Sequence, residues 1–138
     1  MNLKEAFEQL AQSQPKQRKH PSEEEHNIQC NCVKWFRLKY RRFAHNLFAV
    51  PNGGWRNRTV AAKLKGEGVL AGVSDLIFLK SNAHYGALLI EMKREKGKQS
   101  DAQREWQRLM EADGFKYVVC RSLDDFMREI DEYIADCD

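Results

Sequence analysis

Asp75-Leu-Ile-Phe-Leu79 and Ala87-Leu-Leu-Ile-Glu91-Met-Lys93, joined by Lys80-Ser-Asn-Ala-His-Tyr-Gly86, are two apolar runs of strand length on either side of a polar turn. Each is apolar at successive positions and not only at alternate ones, the pattern of central strands covered by helices on both faces. In an antiparallel hairpin, directly opposed residues have numbers that add to a constant. Asp75 and Glu91 add to 166, which centres the hairpin on Ala83, in the middle of the Ser81–Gly86 turn. That register sets the two carboxylates opposite one another on one sheet face, with Cβ atoms roughly 5 Å apart. Lys93, two residues beyond Glu91, points to the same face.

Two carboxylates at the ends of apolar strands repel each other and are costly to desolvate unless a cation lies between them. Oxygen ligands without a His or Cys cluster favour Mg²⁺ or Mn²⁺ over zinc. Lys93 beside such an ion is suited to hold or help deprotonate an attacking water and to offset charge on a phosphodiester. Taken singly, Glu91 and Lys93 would read as a strand-end ion pair and Asp75 as a strand-start residue. The shared register favours a site.

Working outward, Ser22 stands as the N-cap of a helix on which Ile28, Cys32, Trp35 and Phe36 share a face, ending near Arg42. Asn46 to Val50 reads as a short strand stopped by Pro51-Asn52-Gly53-Gly54, and Trp55 to Lys65 as a second helix. Beyond the hairpin, Ser100 caps a helix carrying Ala102, Trp106, Leu109 and Met110, and Gly114 ends it. Phe115 to Cys120 is a strand, and a last helix after Ser122 aligns Phe126, Ile130, Tyr133 and Ile134. The order from Ser22 is helix, strand, helix, strand, strand, helix, strand, helix. This predicts an α/β fold, a mixed central β-sheet flanked by helices. Residues 1–21 are expected to be an appendage, a short helix over Leu3 to Ala11 and a polar linker broken by Pro15 and Pro21, with residues 22–138 as the functional domain.

A chain of 138 residues suits one such domain. Apolar residues make up 42% and charged residues 31%, with no apolar run of bilayer length and no basic-then-apolar leader, so a cytoplasmic protein without a membrane segment is expected. Cys30, Cys32, Cys120 and Cys137 fit neither a zinc framework nor a disulfide scaffold, and reduced, mostly buried thiols are expected. The net charge of +3 argues nothing by itself for nucleic acid. Its distribution says more, because basic residues crowd Arg37 to Arg42, Arg56 to Lys65 and Lys93 to Lys98, stretches expected to flank the Asp75–Glu91 site. Trp35, Trp55 and Trp106 read as core or interface residues. The four histidines show no ligand spacing.

These residues resemble a known family. Asp75, followed by Glu91-Met92-Lys93, is the D…(D/E)-x-K signature of PD-(D/E)XK nucleases. Glu25-x-x-Ile28-Gln29, Pro51-Asn52-Gly53-Gly54-x-Arg56, Leu64-Lys65 with Gly68, Gly72-Val73-Ser74-Asp75-Leu76, Ile90-Glu91-Met92-Lys93 and Ser100-x-x-Gln103 form an ordered set. That set is similar to stand-alone virus-type replication-repair nuclease (VRR-NUC) domains, over Ser22 to Ile134. The resemblance implies a restriction-endonuclease-like core, with Mg²⁺ or Mn²⁺ held by Asp75, Glu91, the Met92 carbonyl and Glu25. It also implies that Lys93 assists the attacking water and that Gln103 lines the site. Ser74 stands where the family often has proline, which is expected to loosen the turn without removing a catalytic group. Glu25 and Gln103 each also stand third after a serine, in Ser22-x-x-Glu25 and Ser100-x-x-Gln103, so a capping role is open to both.

Pro51 to Gly54 lacks the Gly-Lys-Ser/Thr end of a nucleotide-binding loop, and no nucleotide cofactor is expected. Asn52 and Gly53 suit close approach of a DNA backbone, with Arg56, Arg58, Lys65 and Lys96 as phosphate contacts; equally, the segment suits a plain strand-to-helix turn. The expected function is metal-dependent endonucleolytic hydrolysis of DNA phosphodiesters. Similarity to small members of the family implies a homodimer acting in DNA repair on branched DNA such as four-way (Holliday) junctions. The alternative is a non-catalytic DNA-binding or assembly module that keeps the nuclease fold.

Overall fold

In the computed structural model, which describes residues 2–12, 21–51 and 57–138, the chain begins with α1 (Leu3–Gln12) and α2 (Pro21–Lys39). A 3₁₀ turn (Arg41–Phe43), β1 (Leu47–Ala49), α3 (Arg58–Gly66), β2 (Leu76–Phe78) and β3 (Leu88–Met92) follow. The chain closes with α4 (Asp101–Ala112), β4 (Lys116–Cys120) and α5 (Leu123–Ala135). The strands form a four-stranded sheet in the order β1-β2-β3-β4, antiparallel at the first two pairings and parallel at the third. The parallel pair needs a crossover, and α4 supplies it. The α/β class and the element order expected from Ser22 onward are those observed.

The hairpin forms in the expected register. Leu76 faces Ile90, Ile77 faces Leu89 and Phe78 faces Leu88, each pair adding to 166. Its loop is tied at both ends: Asn82 Oδ1 accepts the His84 and Tyr85 N–H groups, Asn82 Nδ2 donates to the Tyr133 carbonyl, and the Tyr133 hydroxyl donates to the Lys80 carbonyl at 2.6 Å. A slip of one residue would reverse every side chain across the sheet.

The two sheet faces have separate tasks. Leu76, Phe78, Leu88, Ile90, Met92 and Cys120 pack into one buried cluster with Cys32, Trp35 and Phe36 of α2 and Phe126, Ile130 and Tyr133 of α5. Full burial of a residue such as Leu88 or Ile90 contributes roughly 1.5–3 kcal/mol each. The opposite face carries Leu89, Glu91 and Tyr117, and α4 lies against it through Trp106, which meets the Tyr117 ring edge-on. All five residues of β3 are buried, as a strand covered on both faces requires. The four thiols are free, with Cys32 and Cys120 buried and Cys30 and Cys137 partly so.

Three expectations are revised. The first helix is not an appendage, because Phe7 joins the buried cluster and Lys4 pairs with Asp124 at 3.0 Å. Ser22 does not precede α2, which already includes Pro21, and the expected Ser22–Glu25 capping box rests on a side chain outside those described. Arg37 to Arg42 is not a wholly free basic run, since two of its four basic residues are engaged within the chain. Lys39 pairs with Asp131 of α5 at 2.9 Å and lies over the Trp35 ring, while Arg42 lies over Phe43 and donates to the Asp138 carbonyl. The expected linker residues 13–20 and the turn and helix start at 52–56 lie outside the described residues.

Gly72 controls how closely α4 approaches the segment leading to Asp75. Its φ is +89°, and an added Cβ would stand 2.6 Å from the Ala102 carbonyl oxygen in the first turn of α4. Gly68 has a similar φ of +105° but open space around it. Gly68→Ala is therefore expected to lose about 1 kcal/mol for strained backbone alone, whereas Gly72→Ala adds a clash and loses at least about 3 kcal/mol. Urea unfolding of the two variants measures both, and equal losses would contradict this packing.

Candidate active site

Asp75 ends the segment entering β2, and its backbone carbonyl accepts the Val50 N–H at 2.8 Å, extending the β1–β2 ladder by one bond. Its carboxylate turns toward β3, where Oδ2 accepts the Met92 N–H at 2.7 Å. Ser74 before it is fully buried, and its hydroxyl donates to the Leu76 carbonyl at 3.1 Å. The turn expected to be loosened by serine is held by that side-chain bond instead.

Glu91 lies across from Asp75 by continuation of the same register. It is only 2% exposed and, with Ser74, is one of two buried polar residues among those described. Its Oε1 accepts Gln103 Nε2 at 3.1 Å and its Oε2 accepts the Tyr117 hydroxyl at 3.1 Å. Burial first, then hydrogen bonding to Asp75 and the charge of Asp75, push the Glu91 carboxyl up to about 9, against the opposing pull of Lys93 and Tyr117. Isolated, the pair would hold a proton that an intervening cation would displace.

Gln103 unites its two candidate roles. Its backbone N–H donates to Ser100 Oγ at 3.1 Å and its side-chain oxygen accepts the Ser100 N–H at 2.8 Å, completing the capping box, while its side-chain nitrogen reaches Glu91. An amide has an acceptor at one corner and donors at the other, so the cap leaves the nitrogen available. Tyr117 was not among the expected site residues. In the sequence it is one more apolar residue of a buried strand; only the parallel pairing of Leu89 with Tyr117 brings its hydroxyl within reach of Glu91.

Lys93 continues the β3–β4 ladder, its N–H donating to the Cys120 carbonyl at 3.0 Å. Its charge acts on Glu91, and among the described residues no hydrogen bond or ion pair holds its ammonium group. The loop that follows is clamped from two sides. Glu25 Oε1 accepts the Arg94 N–H at 3.3 Å, and Arg121 Nη1 donates to the carbonyls of Arg94, Glu95 and Gly97 at 2.9, 3.2 and 2.7 Å. Glu25 thus stands beside the loop, and among the described residues no three His, Cys, Asp or Glu side chains group as a metal cage. Arg121, like Tyr117, carries no sequence signal of this task.

Of the residues expected to meet DNA, Arg58 is the first residue of α3, one step after the N-cap Asn57, whose Oδ1 accepts the Val60 N–H at 2.8 Å. The helix expected from Trp55 begins at Arg58. Lys65 in its last turn and Lys96 in the clamped loop are exposed, as is Arg58. Asn52, Gly53 and Arg56 lie outside the described residues.

A family model described as the VRR-NUC domain matches residues 8–124. The chain belongs to the VRR-NUC family. A solved structure named "VRR_NUC domain protein" is 26% identical, with 83% of this chain and 90% of that chain covered and a TM-score of 0.72. None of the curated proteins matches the chain. The VRR-NUC fold is a nuclease-type fold, and in this member it brings Asp75, Glu91 and Gln103 to one place. No described helix is long and apolar enough to cross a membrane.

The raised Glu91 has a consequence for stability without added metal. The unfolded chain releases this proton near the ordinary carboxyl value of 4.5 and the folded chain near 9, so folding stability falls as pH rises across that window. Chemical denaturation in EDTA between pH 5 and 9 is expected to show this decline, and Glu91→Gln is expected to flatten it. A wild-type profile as flat as that of the variant would contradict the assigned burial.

Proposed function

We propose that this VRR-NUC domain is a Mg²⁺- or Mn²⁺-dependent endodeoxyribonuclease that hydrolyses phosphodiester bonds in branched DNA such as four-way junctions, acting as a homodimer. The observation that carries the reading is the buried Asp75–Glu91 pair with Lys93 beside it. Ion pairing does not explain a glutamate that is 2% exposed and faces another carboxylate.

The donor set fits a small, hard cation: two carboxylates facing each other across β2 and β3, with the Met92 carbonyl beside them and, among the described residues, no thiolate or imidazole grouped with them. Asp75, Glu91 and the Met92 carbonyl would hold the ion directly, and Glu25 stands close by, against the Lys93–Lys98 loop. Bound there, Mg²⁺ or Mn²⁺ supplies Lewis-acid stabilisation of charge on the phosphoryl oxygens. Lys93 holds the attacking water and donates to the phosphate as negative charge builds. Gln103 keeps Glu91 in place. The water oxygen bonds to phosphorus, the ester P–O bond breaks, and the leaving oxygen takes a proton, with no covalent enzyme intermediate.

Arg58, Lys65 and Lys96, together with Asn52, Gly53 and Arg56, are assigned to the DNA backbone. A two-fold dimer supplies two sites for paired nicks in a junction. The experiment is a gel assay on labelled four-way junction, flap, single-stranded and linear duplex DNA with Mg²⁺, Mn²⁺ or EDTA. Wild type is expected to cut the junction preferentially and only with metal. Asp75→Ala and Glu91→Ala abolish cutting, and Lys93→Ala lowers it by at least about 10²-fold, with circular dichroism unchanged. Full activity in any of these variants would sink the assignment. DNA binding without cutting under all conditions would favour the non-catalytic module.

A further inference from the structure

The hydrogen bonds around Glu91 have a direction, and following it inward from the surface assigns a task to Tyr117. Gln107 Nε2 donates to Glu111 Oε1 at 2.6 Å, which leaves Gln107 Oε1 as the acceptor facing Gln99. Gln99 Nε2 donates to that oxygen at 3.0 Å and to the Tyr117 hydroxyl oxygen at 3.2 Å. A phenol has one hydrogen. With a donor already on its oxygen, Tyr117 spends that hydrogen on Glu91 Oε2.

The other oxygen of Glu91 is treated in the same way. Gln103 has its carbonyl oxygen tied to the Ser100 N–H, so its nitrogen is the group that meets Glu91 Oε1. Each carboxylate oxygen therefore receives one neutral donor, each donor is fixed from outside the site, and lone pairs remain free on both oxygens. A lysine or arginine in either place would orient the carboxylate but also neutralise it, competing with a cation for the same charge. The phenol is only 8% exposed, with Trp106 against its ring.

We propose that Tyr117 is a positioning residue whose hydroxyl, directed by Gln99, orients Glu91 as a ligand for a divalent cation without competing for its charge. This rests on the metal-site reading above. Hydrogen-bond partners that orient metal ligands contribute about 10–100-fold to metal affinity when lost.

The test is calorimetric titration of Mn²⁺ into the DNA-free, EDTA-stripped full chain. Tyr117→Phe removes one oxygen and is expected to weaken Mn²⁺ binding at least about 10-fold, while its metal-free melting temperature stays near that of wild type. Gln99→Leu leaves the phenol but removes the donor that directs it, and is expected to weaken Mn²⁺ binding in the same sense by a smaller factor. If Tyr117→Phe fails to fold, Gln99→Leu carries the comparison. Wild-type affinity in a folded Tyr117→Phe, or in Gln99→Leu where that variant stands in, overturns the inference and leaves the metal site intact. A wild-type chain that binds no Mn²⁺ overturns the metal-site reading itself, and this inference with it.

Discussion

Burying a glutamate opposite an aspartate is the constraint on which the rest of this structure turns. Taking one carboxylate out of water beside another is unfavourable by several kcal/mol unless donors or a cation compensate. Each surrounding feature meets part of that demand. The Met92 peptide donates to Asp75, Gln103 and Tyr117 donate to the two oxygens of Glu91, and the Lys93 charge acts on Glu91 from the end of β3. The apolar face of the same strands, packed on α2 and α5, provides the rigidity that keeps these groups in register.

The rigid parts and the working parts share strands but not faces. Because side chains alternate along a strand, Ile90 and Met92 anchor the core while Glu91 between them faces the site. A site built this way inherits the precision of the sheet. The loop after Lys93 extends that precision past the end of the strand, since Arg121 spans three of its carbonyls and Glu25 holds its first amide. Lys96 is thereby presented on a supported loop.

Local pattern carried the hairpin. The Asp75–Glu91 register was legible in the sequence because the two apolar runs flank one polar turn and antiparallel pairing ties residue numbers to a constant sum. Gln103 was legible because serine and glutamine at that spacing mark a helix start. Tyr117 and Arg121 were not, because the parallel pairing of β3 with β4 depends on how far α4 carries the chain, which no local pattern encodes. The basic run at Arg37 to Arg42 is legible only in part for a related reason: its composition suits phosphate, but Lys39 and Arg42 take Asp131, Phe43 and Asp138 of the same chain as partners. Glu25 keeps a place beside the loop that follows Lys93, where its carboxylate accepts the Arg94 N–H.

Anomalous diffraction at the manganese edge, from crystals of the protein grown with Mn²⁺, locates the cation between the two carboxylates or shows that none sits there. A peak is expected between the Asp75 and Glu91 carboxylates, within coordination distance of both, with Gln103 and Tyr117 still hydrogen-bonded to Glu91. Density showing the two carboxyl groups bonded directly to each other, with manganese elsewhere or absent, would contradict the assignment.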